Sequence, residues 1–207
     1  MNCVFLVVFL LVALTSADVL NSTGRQACVD EHNRFRGELA RGKVVNKGGE
    51  RLQKAVDMNE LVRAIKKLVT LDSEIQRRFG GESTRLGQEV SNETYTRYQL
   101  RSVQAYDSTA LKYAAGSWWS EVKNMSPADL VLTDEVWKKD VGHFTQMAWS
   151  HCASVGCAVQ VCDKTTLVVC NYDQGNLMNA PIYKAGRESC SACDFSRTVC
   201  RNDLCAN

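Results

Sequence analysis

Two short runs near the C-terminal third limit the folds open to this chain more than anything else in it. Cys157-Ala-Val-Gln-Val-Cys162 and Thr166-Leu-Val-Val-Cys170 are rich in β-branched residues and are separated only by Asp163-Lys164-Thr165. A connection this short closes an antiparallel hairpin and is far too short for a parallel crossover. Just upstream, Gly142-His143-Phe144-Thr145-Gln146-Met147-Ala148-Trp149 forms a polar-aromatic cluster, the first place to look for chemistry. The stretch continues through Val169-Cys170-Asn171-Tyr172-Asp173 and Gly175-Asn176 to Tyr183.

At 207 residues the chain is expected to form one domain. Cys3 to Leu14 is almost wholly apolar and is followed by the small residues Thr15-Ser16-Ala17. That run is too short to span a bilayer, so residues 1–17 read as a secretory signal peptide. The expected product is secreted and extracellular, with a main domain over 18–185 and a cysteine-rich extension over 186–207. Removing Cys3 leaves nine of the ten cysteines: Cys28, Cys152, Cys157, Cys162, Cys170, Cys190, Cys193, Cys200 and Cys205. In an oxidising compartment these are disulfide candidates, and the odd count leaves one thiol free or paired between molecules. Zinc at Cys190-x-x-Cys193 is the competing reading and would need reduced thiolates. Sequons at Asn21, Asn92 and Asn124 are glycosylation candidates, the last weakened by Pro127. The formal charge of +2 is too small to indicate nucleic acid.

Along the chain, apolar spacing predicts an amphipathic helix over 24–41 carrying Ala27, Val29, Phe35 and Leu39, broken at Gly42. His32 within it reads as a hydrogen-bonded packing histidine. A second helix is expected from Met58 to Phe79, with Leu61, Ile65, Leu68, Ile75 and Phe79 on its apolar stripe. Residues 82–106 read as polar and irregular. Asp107 or Ser108 caps a third helix bearing Leu111, Ala114, Ala115, Trp118, Trp119 and Val122. Cys190 to Cys205 holds too little apolar material for a core of its own, so two disulfides are expected to hold that tail. Helices flanking an antiparallel sheet give an α+β fold.

The segments Gly-His-Phe-Thr-Gln-Met-Ala-Trp at 142–149 and Val-Val-Cys-Asn-Tyr at 168–172 resemble the two signatures of the CAP superfamily. That superfamily comprises the cysteine-rich secretory, antigen 5 and pathogenesis-related 1 proteins. His32-Asn33-Arg34-Phe35-Arg36 with Ala40-Arg41-Gly42 is similar to the family's first-helix motif. The run 41–49 and Trp118-Trp119 resemble hookworm-type activation-associated secreted proteins. The resemblance spans about 25 to 185. It implies a three-layer α-β-α sandwich and a cleft with two histidines and two glutamates that binds a divalent metal in some members.

Carried over residue by residue, His143 matches one histidine and Glu121 one glutamate. The second histidine is replaced by Glu82, and the second glutamate by Gln88, next to Glu89. Gln88 is a poor zinc ligand, so the expectation is no metal, no cofactor, and a relic cleft of His143, Glu121, Gln88 and Glu82. Two cysteines common among relatives are replaced at Ile65 and Arg78. Cys28 and Cys152 read as additions that could bridge each other. No catalytic residue is assigned, although His143 with Glu121 has the makings of an acid-base pair, as in a metal-dependent hydrolase. The resemblance implies instead a parasite effector that binds a host cell-surface protein. Members of the family include inhibitors of platelet adhesion and aggregation that antagonise integrins. The alternative it implies is a lipid or sterol carrier, with Trp118, Trp119, Trp137 and Phe144 lining the pocket.

Overall fold

The computed structural model describes residues 22–64, 94–101, 108–162 and 165–207, without the side chains of 22–23, 94–101, 160–162, 165 and 167. Helix α1 (Ser22–Ala40) turns its Cys28, Val29, Phe35 and Leu39 inward, as the apolar spacing requires. It stops at Gly42, whose φ of 67° suits a residue without Cβ, while the Gly42 and Lys43 amides donate to the Leu39 and Glu38 carbonyls. A two-stranded pair follows, β1 (Lys54–Ala55) with β6 (Ala185–Gly186).

The main sheet holds β2 (Val62–Arg63), β3 (Thr94–Arg101), β4 (Ser154–Cys162) and β5 (Thr165–Tyr172) in the order β2-β4-β5-β3. Strands β4 and β5 form the hairpin read from the sequence, Cys157 standing directly opposite Cys170 and Cys162 opposite Thr165. β3 pairs antiparallel with β5 from Thr94↔Tyr172 to Arg101↔Thr165, and β2 lies parallel to β4. In the middle of β4 and at the end of β5, consecutive residues are buried: Val155 to Val159, and Val168 to Tyr172. Both faces of the hairpin are therefore covered, as the middle layer of a sandwich demands.

Two expectations need correction. Met58 to Ala64 is extended rather than the start of a helix. Its amides are claimed from outside: Asn59 N–H donates to Ser150 O, Glu60 to Cys205 O, Val62 to Ala153 O and Ala64 to Val155 O. Asn33 clamps the same segment, donating to Leu61 O and accepting from Leu61 N. Met58 and Leu61 are buried as expected, but a three-residue step serves a gripped extended chain as well as a helix. The rest of that helix, over 65–79, lies outside the described residues. Within the span read as irregular, 94–101 is instead a strand, its Thr94-Tyr-Thr-Arg-Tyr-Gln-Leu-Arg101 pattern stabilised along all eight positions by β5.

Helix α2 (Ser108–Trp119) packs on α1 and on the sheet with Leu111, Ala114, Ala115 and Trp118 buried. A 3-10 turn (Ser120–Asn124), α3 (Asp134–Trp137) and α4 (Gly142–Met147) follow. Phe35 stacks on Trp119 at 5.0 Å between ring centres, and Trp119 meets the edge of Phe144 at 4.9 Å. Beneath them Arg36 is fully buried, and its guanidinium donates to five backbone carbonyls: Asn59, Met147, Trp149, Ser150 and Cys152. One side chain thus ties α1 to the extended segment and to the loop before β4. Among the described residues, no helix is long and apolar enough to cross a membrane.

In the tail, β7 (Val199–Arg201) and β8 (Leu204–Ala206) form a hairpin braced by Cys190–Cys200 and Cys193–Cys205. The tail is also docked. Leu204, Cys205 and Ala206 are buried, Cys205 N–H donates to Met58 O, and Arg41 pairs with Asp203 at 3.1 Å.

Cys28 does not meet Cys152. Its sulfur and that of Cys170 both reach Cys157. One sulfur holds one disulfide partner, so Cys157 joins either its cross-strand neighbour or α1 in a given molecule. Replacing Cys170 by serine is expected to move Cys157 wholly onto Cys28 in a non-reducing peptide map. A free Cys157 thiol in that variant would show that α1 is not within reach. Cys152 is the free cysteine among the described residues. Burial pushes its thiol up to about 12, and it donates to Asp173 Oδ1 at 3.0 Å, so it is a packing thiol without nucleophilic character. The side chain of Cys162 lies outside the described residues.

Candidate functional site

Glu121 reaches the site because Trp118 and Trp119 are buried and lock the end of α2, so the tighter 3-10 turn aims the next side chain at the start of α4. Helix α4 has no side-chain cap from its own N-cap residue, Val141. Glu121 supplies one from outside. Its Oε2 accepts from the backbone N–H of His143 at 2.9 Å and of Phe144 at 3.1 Å, and its Oε1 lies 2.6 Å from His143 Nδ1. A carboxylate at that place satisfies two amides left open by the helix start. Facing an acceptor-only carboxylate, Nδ1 carries the proton, which fixes the imidazole tautomer. The ring lies parallel to Trp118 at 5.8 Å and is partly exposed.

The rest of the polar-aromatic cluster does not converge on this pair. Thr145 and Gln146 are fully buried and Trp149 nearly so. Thr145 Oγ1 donates to Asn176 Oδ1 at 2.7 Å, Asn176 Nδ2 donates to Gly142 O, and Gln146 Nε2 donates to Gln174 O. Gly175 passes so close that a Cβ there would sit 2.2 Å from Gln146 Nε2, which explains glycine at its φ of 151°. These side chains hold the 173–176 loop against α4. Glu82, Gln88 and Glu89, the remaining expected members, lie outside the described residues, as do Asn21 and Asn92. Asn124 is exposed, and its Nδ2 donates to Lys139 O at 3.0 Å.

A divalent ion needs several lone pairs converging from a fixed frame. In the cleft the described residues offer the His143 imidazole and a carboxylate whose two oxygens are already engaged. The converging donor groups among described residues are Cys28, Cys157, Cys170 and Cys190, Cys193, Cys205, all in bridging positions. Ser150 and His151 do not form a nucleophilic pair. Ser150 Oγ gives its hydrogen bond to buried Asp57 at 2.9 Å, and His151 Nε2 stands 3.7 Å from the same carboxylate. With the carboxylate between them, the imidazole is not placed to take the serine proton. His32 is the packing histidine expected, bonded to Cys28 O and to the Tyr172 hydroxyl at 2.8 Å each. Sequence reasoning missed Arg36 as the carbonyl clamp and Asp57 as an anchor for Lys184 N–H. Neither has a signal in local pattern, because their partners are remote backbone atoms.

Of the aromatic residues expected to line a lipid pocket, Trp118, Trp119 and Phe144 are core, while Trp137 is half exposed. An open pocket of about 380 Å3 lies elsewhere, between Trp149, His151, Leu177, Pro181, Lys184 and Asp194.

Comparison with known proteins follows the same lines. The chain is 30% identical over 193 residues to the Ancylostoma secreted protein of Ancylostoma caninum, an alignment covering 84% of this chain and 42% of that protein. The chain thus spans less than half the length of that relative. Its fold matches the crystal structure of NaASP2 with Zn2+ at a TM-score of 0.76 and 24% identity, covering 92% of this chain and 99% of the other. It matches the crystal structure of Hookworm Platelet Inhibitor at 0.66 and 20% identity, covering 93% and 94%. Residues 29–172 match the cysteine-rich secretory protein family, CAP, and with its two signatures on α4 and β5 the chain belongs to that family.

Proposed function

We propose that the protein is a secreted parasite effector whose surface binds a host cell-surface protein, with integrin-class receptors of platelets as the partner to test first. The observation that carries this reading is the use of Glu121. Its two oxygens accept from the start of α4 and from His143 Nδ1, so the pair braces the scaffold on which the surface loops are carried. The braced tail and the exposed loops on a rigid sandwich suit recognition by surface, where side chains vary without cost to the core. The structural likeness to a protein named for platelet inhibition supports the choice of first partner. The lipid-carrier reading loses support because Trp118, Trp119 and Phe144, three of the four aromatics expected to line its pocket, are buried in the core.

Glycosylated mature protein added to platelets on immobilised ligand is expected to reduce adhesion and to capture a surface receptor in a pull-down from platelet membranes. Unchanged adhesion together with stoichiometric lipid on the purified protein would overturn the proposal in favour of a carrier.

Zinc is expected to bind weakly, with a dissociation constant of roughly a millimolar or above. Calorimetry tests this with the wild type and His143→Ala. Micromolar binding abolished in the variant would show that the cleft assembles a ligand set after all.

A further inference from the structure

The tail holds one aromatic ring out in water. Phe195 is 97% exposed, on backbone fixed between the Cys190–Cys200 and Cys193–Cys205 bridges. The residue before it, Asp194, lines the open pocket of about 380 Å3 whose apolar wall includes Trp149, Leu177 and Pro181. A phenyl ring needs far less room than that, since a dry cavity of about 150 Å3 already admits benzene. Scattered exposed apolar side chains are ordinary, but a rigidly presented ring beside an apolar hollow is not. A protruding knob and a hollow on one face satisfy the requirement of a two-fold contact, because each copy can fill the other at the same time.

The charges agree. Asp194 and Lys184 sit on the wall of the same pocket with opposite signs, and both are exposed. In a two-fold contact through this face, Asp194 of one copy would stand against the partner's Lys184, with the reverse pair formed by the same symmetry. Leu177 and Met178, 57% and 43% exposed, extend the apolar rim around the contact. His151 lies 3.6 Å from its own Asp194 and flanks the pair without opposing it.

We propose that the protein self-associates as a two-fold dimer through this face, Phe195 of each copy seated in the pocket of the other between reciprocal Asp194–Lys184 pairs. The site is separate from the His143–Glu121 cleft and does not depend on the receptor reading.

Sedimentation velocity on the full mature chain from about 1 to about 100 μM, the range of a modest interface, is the test. The wild type is expected to pass from monomer to dimer across that range. Phe195→Ala removes a side chain that supports nothing in the monomer and is expected to stay monomeric with an unchanged melting temperature. Asp194→Lys and Lys184→Asp should each weaken association about tenfold, and combining them should restore it. A wild type that remains monomeric throughout, or a Phe195→Ala variant that dimerises like the wild type, would overturn the proposal. So would a monomer whose pocket is filled instead by an aromatic peptide, since that assigns the hollow to a foreign partner.

Discussion

Replacing Arg36 by leucine is expected to remove about 4 kcal/mol or more of unfolding free energy, the largest loss from any single substitution considered for this protein. The guanidinium sits at 0% exposure and its six hydrogen bonds end on five carbonyls drawn from two segments, Asn59 and the run 147–152. Leucine fills part of the volume but leaves those carbonyls buried with no donor, and hydrogen bonds to a charged group contribute about 1.5–3 kcal/mol each. Burial lowers the pKa of the group to about 10, yet it stays charged at neutral pH because the carbonyl dipoles stand in for water. Arg36→Lys keeps the charge but lacks the planar fork and is expected to recover less than half of the loss. Urea unfolding followed by tryptophan fluorescence measures both, and a loss below about 1 kcal/mol for leucine would show that water replaces the clamp.

Acid should weaken the fold through His32. Burial lowers its pKa from 6.5 to about 4, with Arg36 adding to the effect and the Cys28 carbonyl and Glu31 opposing it. Between those two values the unfolded chain binds a proton that the folded chain does not. Unfolding free energy therefore rises with pH across that window and falls as pH drops from 6.5 toward 4. The shift corresponds to roughly 3 kcal/mol over the full interval. His32→Gln gives up some stability at neutral pH, because Tyr172 and the Cys28 carbonyl lose a shaped partner. Its profile between pH 6.5 and 4 should be flatter by about that amount. An equal slope in wild type and variant would mean that other groups carry the acid sensitivity.

The parts of this fold that could be read in advance are those whose partners lie close in sequence. The β4–β5 hairpin was legible because two β-branched runs faced each other across a short turn. Helices α1 and α2 were legible because their apolar residues recur at helical steps. Strand β3 was not, since its partner lies some seventy positions downstream and Thr96, Arg97 and Gln99 around its tyrosines suggest a loop until β5 is beside it. Met58 to Ala64 misled for the opposite reason. Its apolar spacing suits a helix, and only the remote grip of Arg36, Asn33, β4 and the tail draws it out. Within the cleft, His143 and Glu121 were found from their motifs, and the structure brings them together. Their service to α4 could not be read, because it depends on where two backbone amides point. Thr145, Gln146 and Trp149 belonged to the same motif and proved to be packing residues. A motif marks residues that a fold needs together, without saying whether for chemistry or for support.

On the proposed reading the cleft pair supports a scaffold that binds its partner through the outer surface. The most direct measurement compares wild type and His143→Ala as inhibitors of platelet adhesion, with circular dichroism confirming that both are folded. The account predicts inhibition by the wild type and an equal dose-response for the variant, since the partner meets the outer surface. A folded variant whose inhibition falls more than about tenfold, or a wild type with no effect on adhesion, would contradict it.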